Sequence, residues 1–479
     1  MRRIFRGIAP GVAALLVAAA AGAAAPPLVP APGPMPPADN QKLAHDIFRD
    51  IVEVHSVHDV GTKGVADIVA KYLISGGFAP AEVNVVPETL YPAQVNVVVR
   101  LHGKGRGKAI MWICHMDVVE AKAEDWTVPP FRFTEKDGYF YGRGTSDMKD
   151  EDAAVAAALI RLKKEGFVPD RDIIVAFTAD EEVGQEQSGP AFLLKEHREL
   201  VDAELVIDPD GGSGEYRNGK RLTFGVETSE KTYVTFTLEV VNKGGHSSEP
   251  RPDNAIYELA AGLTKLSQYQ FPFTLNASTR IYFREMAAFE KDQKRADMLA
   301  VAAEKPDLKA AERLAHDVSL NAVLHSTCVA TMLKAGVQEN ALPARARATV
   351  QCRIMPNETP EGTRQTIEKA IGDPGIKVSQ LGFVVSAPES PPSPELMASV
   401  AKAVHSMWPG VPVIPQMSAG ASDAIFTRSA GMRTYGIGGG WGDIDDVRAH
   451  GRDERHEAQD FYSTVEFSYR LMKELSGAN

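Results

Sequence analysis

Three apolar runs, each ending in histidine or carboxylate residues, constrain this chain more than any other feature. Ile173-Ile174-Val175-Ala176-Phe177-Thr178 leads to Asp180-Glu181-Glu182. Ala109-Ile110-Met111-Trp112-Ile113-Cys114 runs into His115-Met116-Asp117, and Ala203-Glu204-Leu205-Val206-Ile207 into Asp208. Short apolar runs of this kind read as strands buried on both faces, as in a parallel sheet covered by helices. In open α/β sheets the carboxyl edge is where sites are built. Imidazole and carboxylate groups delivered there make a donor set suited to zinc or a similar divalent cation. A sheet with polar caps accounts for any one of these strand ends, and poorly for three together.

Between the first two runs lies Tyr141-Gly142-Arg143-Gly144-Thr145-Ser146-Asp147-Met148-Lys149-Asp150, followed by an Ala-rich helical stretch from Ala153 to Leu162. The glycines permit a tight turn, and Asp147 to Asp152 crowd the start of the helix, where its dipole favours negative charge. Asp147 alone therefore reads equally as a helix-start acid. Late in the chain, His450-Gly451-Arg452-Asp453-Glu454-Arg455 follows another strand-like run that ends at Gly436 to Gly440. On residue type, either His450 or His456 can serve as a fifth ligand.

Taken in order, His115-Met116-Asp117, Gly142-Arg143-Gly144 with Asp147-Met148-Lys149, Asp180-Glu181-Glu182, Asp208, Gly244-Gly245-His246-Ser247-Ser248 and His450 to Glu454 resemble the motifs of the co-catalytic zinc family. That family contains aminoacylase, acetylornithine deacetylase, succinyl-diaminopimelate desuccinylase, and carboxypeptidases G and S. The resemblance covers essentially everything after about residue 40, and it departs at Asp150, where the family usually has glycine. It implies that two divalent metal ions bind, most simply Zn2+, with Co2+ or Mn2+ as alternatives. Asp147 then bridges the two ions, His115 and Asp208 complete one site, and Glu182 and His450 the other. The spacing His-x-x-Asp-Glu selects His450 over His456. Asp117 resembles the acid that orients His115, and Glu181 the general base. Neighbouring strand-end side chains diverge, so Glu182 can hold metal while Glu181 faces water and substrate.

The same resemblance makes His246 a residue that stabilises the tetrahedral oxyanion, supplied by the opposite subunit in dimeric relatives. Asn340 and Arg353 resemble a substrate-binding pair, Arg353 gripping a terminal carboxylate through the two-point geometry of guanidinium. Gly420-Ala421-Ser422-Asp423-Ala424 resembles a substrate-side loop. Residues 267–326, with Thr327 to Leu333 and Gly336 to Pro343, look most like the carboxypeptidase S branch.

The expected fold is α/β: a zinc-peptidase-like catalytic domain with a mostly parallel sheet, interrupted by an inserted α+β lid or dimerisation domain. The chain of 479 residues is too long for one ordinary domain. Residues 41–230 alternate helical and strand patterns. From about Lys231 the alternating run Tyr233 to Val241 marks an antiparallel sheet, giving a lid over 231–388, and residues 389–479 resume the α/β pattern. The Lys/Glu/Ala-rich stretch from about Ser267 to Ser326 reads as solvated helices. Arg2, Arg3 and Arg6 precede an Ala/Leu/Val core and small residues at Ala21 to Ala25, so residues 1–25 read as an export signal, too short and Ala-rich for a membrane anchor. Residues 26–40 read as a Pro-rich tether, and the expected location is periplasmic or secreted. A net charge of −11 argues against nucleic acid as a partner. Three cysteines make no disulfide framework, though Cys328 and Cys352 fall on strand-like segments that can pair in an oxidising compartment. The expected reaction is hydrolysis of the amide bond before a free carboxylate. The substrate is a peptide or an N-acyl amino acid; the resemblance allows a homodimer through the lid, and the sequence leaves the oligomeric state open.

Overall fold

The computed structural model describes residues 28–183 and 188–477. The export signal expected over residues 1–25 lies outside them. Four strands form the parallel centre of a ten-stranded mixed sheet: Ile173–Thr178, Ile110–His115, Leu205–Asp208 and Arg433–Gly436, in that spatial order. Antiparallel strands Val83–Pro87 and Val95–Leu101 extend one side, and Lys220–Glu230 with Gly214–Arg217 extends the other. Alternation along the strands serves two cores. Ile110, Trp112 and Cys114 pack with helices Ala38–Val52, Lys149–Lys164 and Ala458–Ser476, while Met111 and Ile113 pack with Leu193, Val201 and Met432. This double coverage is why the runs read as continuously apolar. Ala153 to Ala158 are fully buried, so small side chains let the helix Lys149–Lys164 lie between its two neighbours.

The lid is a four-stranded antiparallel sheet in the order Thr327–Ala335, Arg345–Ile354, Thr232–Val241, Lys377–Leu381. Val234, Phe236, Leu238 and Val240 face helices Ala255–Ser267 and Pro360–Ile371, which gives the period-two pattern seen in sequence. Cys328 and Cys352 sit directly opposite each other and are joined by a disulfide. Their bond ties the edge strand to its neighbour beside Arg353.

Two segments differ from expectation. The stretch after Ser267 is not simply solvated: its helices enclose an apolar core of Phe283, Met298, Val301, Leu314 and Leu324. They also dock on the catalytic part, where Asn276 caps helix Ala277–Met286 and donates through Nδ2 to Ser229 Oγ at 3.1 Å. Nor is the Pro-rich segment a free tether. Gly33 N donates to Ser463 Oγ at 3.0 Å, and Arg221 Nη2 donates to the Ala31 carbonyl at 2.8 Å.

Candidate metal centre and substrate cleft

The ends of the parallel strands converge on one acidic cluster. Three sets of donors have ligand atoms within 4.8 Å of one another: His115, Asp147 and Asp210; Asp147, Glu182 and His450; and His115, Glu181 and Glu182. Asp147 is common to the first two, with Oδ1 3.2 Å from His115 Nε2 and Oδ2 3.0 Å from His450 Nε2. His450 Nε2 is also 2.9 Å from Glu182 Oε2. Five of the expected residues therefore meet: His115, Asp147, Glu181, Glu182 and His450.

Asp208 does not join them. It ends its strand fully buried, with Oδ2 accepting from Ser422 Oγ at 2.9 Å and Oδ1 accepting from Asp210 N at 3.2 Å. Asp210, two residues on, lies beside His115 and Asp147 instead. The strand-end rule selected the first acid of Asp208-Pro209-Asp210. The chain turns after Asp208, and that turn carries the second acid to the cluster. The sequence signal for Asp210 was the following Gly211-Gly212: a Cβ at Gly212 would meet the Gly225 and Gly436 carbonyl oxygens at 2.6 Å, so this turn packs too closely for any side chain.

Asp117 works differently from expectation. His115 Nδ1 faces the Asp117 main-chain carbonyl at 3.1 Å, while the carboxylate is 3.8 Å away. The two carboxylate oxygens are taken by the amides of Glu181, at 3.2 Å, and Glu182, at 3.0 Å. Asp117 thus orients His115 through its backbone and both glutamates through its side chain. Asp180, in the left-handed region at φ 60°, turns the chain so that Glu181 and Glu182 can reach the cluster.

A brace that sequence reasoning missed presents Asp147. Buried Glu454 accepts from Arg143 Nη1 at 2.5 Å and from Gly144 N at 3.2 Å through one oxygen. Its other oxygen accepts from Ser146 N at 2.7 Å. The His450–Glu454 motif therefore holds the Gly142–Ser146 turn as well as placing His450 in the cluster. His456 is buried outside the cluster, with Nδ1 2.7 Å from Asp150 and Nε2 3.1 Å from Asp460. Asp150, the departure from the family pattern, thus has its partner in His456.

The electrostatics are those of a cation site. Burial raises the Asp147 carboxyl, but the His115 and His450 imidazoles outweigh it and hold its pKa well below the carboxylate range. Hydrogen bonds to Asp147 and Glu182 lift His450 to about 10. Burial pushes Glu181 and Asp210 well above their ordinary values. The donors fit a divalent metal on a further observation. Nδ1 of His115 is satisfied by the Asp117 carbonyl, so the buried Nε2 is turned to the carboxylates, 3.2 Å from Asp147 Oδ1 but in no well-formed hydrogen bond among the described residues. His115, Asp147 and Asp210 would hold one ion, and Asp147, Glu182 and His450 a second.

Above the cluster, a cleft of about 730 Å³ opens between the catalytic part and the lid. Glu181, Glu182 and His450 line it, with Arg353 and Tyr233 from the lid and Ser422 and Asp423 from the substrate-side loop. Arg353 lies with its guanidinium carbon 4.7 Å from the Tyr233 ring centroid, and its buried Nη1 has no hydrogen-bond partner among the described residues. His246 and Asn340 are brought together elsewhere: Gly245–His246 pairs with Ala341–Leu342, and Ser247 N donates to the Asn340 carbonyl at 3.1 Å. Both are exposed, and neither lines the cleft of its own chain.

A carboxylate-rich metal centre at the carboxyl edge of a mixed α/β sheet, under an antiparallel lid, defines a metal-dependent hydrolase. The comparisons make the class specific. Residues 111–474 match peptidase family M20/M25/M40, and the chain belongs to that family. It is 29% identical over 368 residues to the N-fatty-acyl-amino acid synthase/hydrolase PM20D1 of Xenopus tropicalis, covering 76% of this chain and 72% of that protein. It is 28% identical over 389 residues to the probable carboxypeptidase S-like 2 of Dictyostelium discoideum, covering 76% and 71%. The fold matches an M20 family metallo-carboxypeptidase from Sulfolobus solfataricus with a TM-score of 0.68 at 18% identity, over 90% of this chain and 99% of that one.

Proposed function

We propose that this protein is an exported two-zinc hydrolase that cleaves the amide bond preceding a free carboxylate, acting as a carboxypeptidase or dipeptidase. The carrying observation is Arg353, a half-buried guanidinium with an unpartnered Nη1 in the cleft that also holds Glu181 and His450. A cation with no carboxylate partner among the described residues, in a partly dehydrated wall, suits a carboxylate supplied by the substrate. When bound, a pair of divalent ions polarises the scissile carbonyl and acidifies the attacking water. Glu181 would serve as the base that takes a proton from the attacking water and returns it to the leaving nitrogen, its backbone fixed by the Glu181 and Glu182 amides held on Asp117. Mixed nitrogen and oxygen donors favour zinc, and the same set accepts Co2+ or Mn2+.

N-acyl-amino-acid hydrolysis is a second reading with its own support. Leu381 and Phe383 stand exposed on the lid side of the cleft, and Ile425 and Phe426 face it from the catalytic part. An apolar wall opposite a carboxylate anchor suits an acyl chain as well as an apolar peptide side chain. Export is supported by the N-terminal charge and apolar pattern and by the Cys328–Cys352 bond, since such bonds persist in oxidising compartments. The homodimer is supported by the placement of His246 and Asn340 outside their own cleft, which leaves the oxyanion side for a second copy to complete.

The test is kcat/KM for unblocked dipeptides, N-acyl amino acids and their C-terminally amidated counterparts. Arg353→Ala should lower kcat/KM on free-carboxylate substrates by the equivalent of about 2–5 kcal/mol, the range for losing a buried charge partner. Arg353→Lys should recover only part, because ammonium lacks the planar fork. Amidated substrates cleaved by wild type as well as free acids would overturn the clamp and both readings built on it.

A further inference from the structure

The lid joins the catalytic part through one residue on this side: strand Lys220–Glu230 becomes strand Thr232–Val241 across Lys231. Glu230, the last residue before that joint, is buried. Its carboxylate accepts from Ser422 N at 2.6 Å and from Arg428 Nη1 at 2.9 Å. Arg428, also buried, reaches Glu227 at 3.1 Å and the Thr434 carbonyl at 3.2 Å. Ser422 then makes a second contact with a different carboxylate, its hydroxyl donating to Asp208 Oδ2 at 2.9 Å. Asp208 in turn receives the amide of Asp210. A single serine thus stands between the lid hinge and a residue of the metal cluster.

We propose that Ser422 is a positioning residue that fixes Asp210 through Asp208 and makes the metal centre sensitive to the lid hinge. The inference rests on reading Asp210 as a metal ligand. Asp208 is a fully buried carboxylate, and such a group keeps its place only while donors satisfy its oxygens. Ser422 Oγ–H and Asp210 N–H are the donors to its two oxygens. Removing the hydroxyl leaves Asp208 under-satisfied and free to reorient, taking the Asp210 turn with it. Because the Ser422 amide is held by Glu230, the hydroxyl takes its position from the hinge strand. A shift of that strand therefore moves the donor on which Asp208 depends.

Zinc affinity, measured without substrate by competition with a chromophoric chelator, tests the proposal. Ser422→Ala should bind zinc about 10–100-fold more weakly, the usual effect of removing a group that orients a ligand. The unfolding midpoint of the metal-free protein should stay within a few degrees of wild type. Ser422→Thr keeps the hydroxyl and should restore the affinity. Glu230→Gln should weaken zinc binding in wild type and have little further effect in Ser422→Ala, because both act along one path. Wild-type affinity in Ser422→Ala, or a Thr variant as weak as Ala, overturns the positioning role. Fully additive losses overturn the link to the hinge. A wild-type chain with no zinc affinity would sink the two-metal reading instead.

Discussion

Two aspartates separated by one proline carry different work, and substituting each alone distinguishes them. Asp210→Asn removes a donor from the cluster, so metal bound after saturation and desalting should fall from about two ions per chain to about one. Asp208→Asn should keep both ions and bind one of them about 10–100-fold more weakly. Metal analysis of the two variants checks this, and the opposite pattern would return the ligand role to Asp208. At this scale the sequence was informative where a residue type and its strand end pointed the same way, as for His115, Glu181 and Glu182. It misled where the chain turned between candidates. Periodicity places Asp208 at the strand end, but only the turn through Pro209 decides which acid faces His115. Asp117 shows the same limit, because its spacing to His115 does not say whether its carbonyl or its carboxylate makes the contact.

The helix Lys149–Lys164 begins in a crowd of acids, and His456 partners one of them, Asp150. Both ring nitrogens of His456 face carboxylates, of Asp150 and Asp460, which requires the doubly protonated imidazolium. Burial alone would lower its pKa, but the two aspartates outweigh burial and carry it well above 6.5. A histidine raised on folding stabilises fully below its unfolded pKa, and that stability is lost as pH rises through the folded value. The urea midpoint of wild type should therefore exceed that of His456→Gln most at about pH 6, with the gap narrowing through the alkaline range. A gap that widened with pH would mean that His456 is held neutral. The brace between Arg143 and Glu454 is a second device of this kind. Arg143→Met should destabilise by about 3–5 kcal/mol in urea unfolding, because it strands a buried carboxylate. Both elements were half legible. The motif His450 to Glu454 was visible, and so was the odd Asp150, but the partners of Glu454 and Asp150 lie some three hundred residues away in the chain. No local pattern encodes such a pairing.

For the molecule as a whole, the layered α/β body and the inserted antiparallel lid followed from where the apolar period changed near Lys231. The packing of the helices between Ala277 and Leu324 did not, because their apolar residues serve a small local core whose stripe is diluted by lysine and glutamate. The lid's edge strand, Thr327–Ala335, exposes Val329, Met332 and Leu333 at 59%, 69% and 67% of their surface. An exposed apolar edge is a template for strand pairing, and lysine on it is how proteins prevent that. For the proposed homodimer, with its seam at this edge, Leu333→Lys should leave a monomer in sedimentation and abolish turnover with the metal content unchanged. A variant that stayed dimeric and active would place the subunit contact elsewhere. The order of strands has a consequence for how the chain is made. Leu205–Asp208 lies between Ile110–His115 and Arg433–Gly436, so the central sheet lacks a neighbour until nearly the whole chain has left the ribosome. Pairings this distant in sequence form slowly. Half of the partnership of Leu205–Asp208 therefore waits for the last tenth of the chain, and removing that tenth would leave the acid-bearing edge of this strand unpaired.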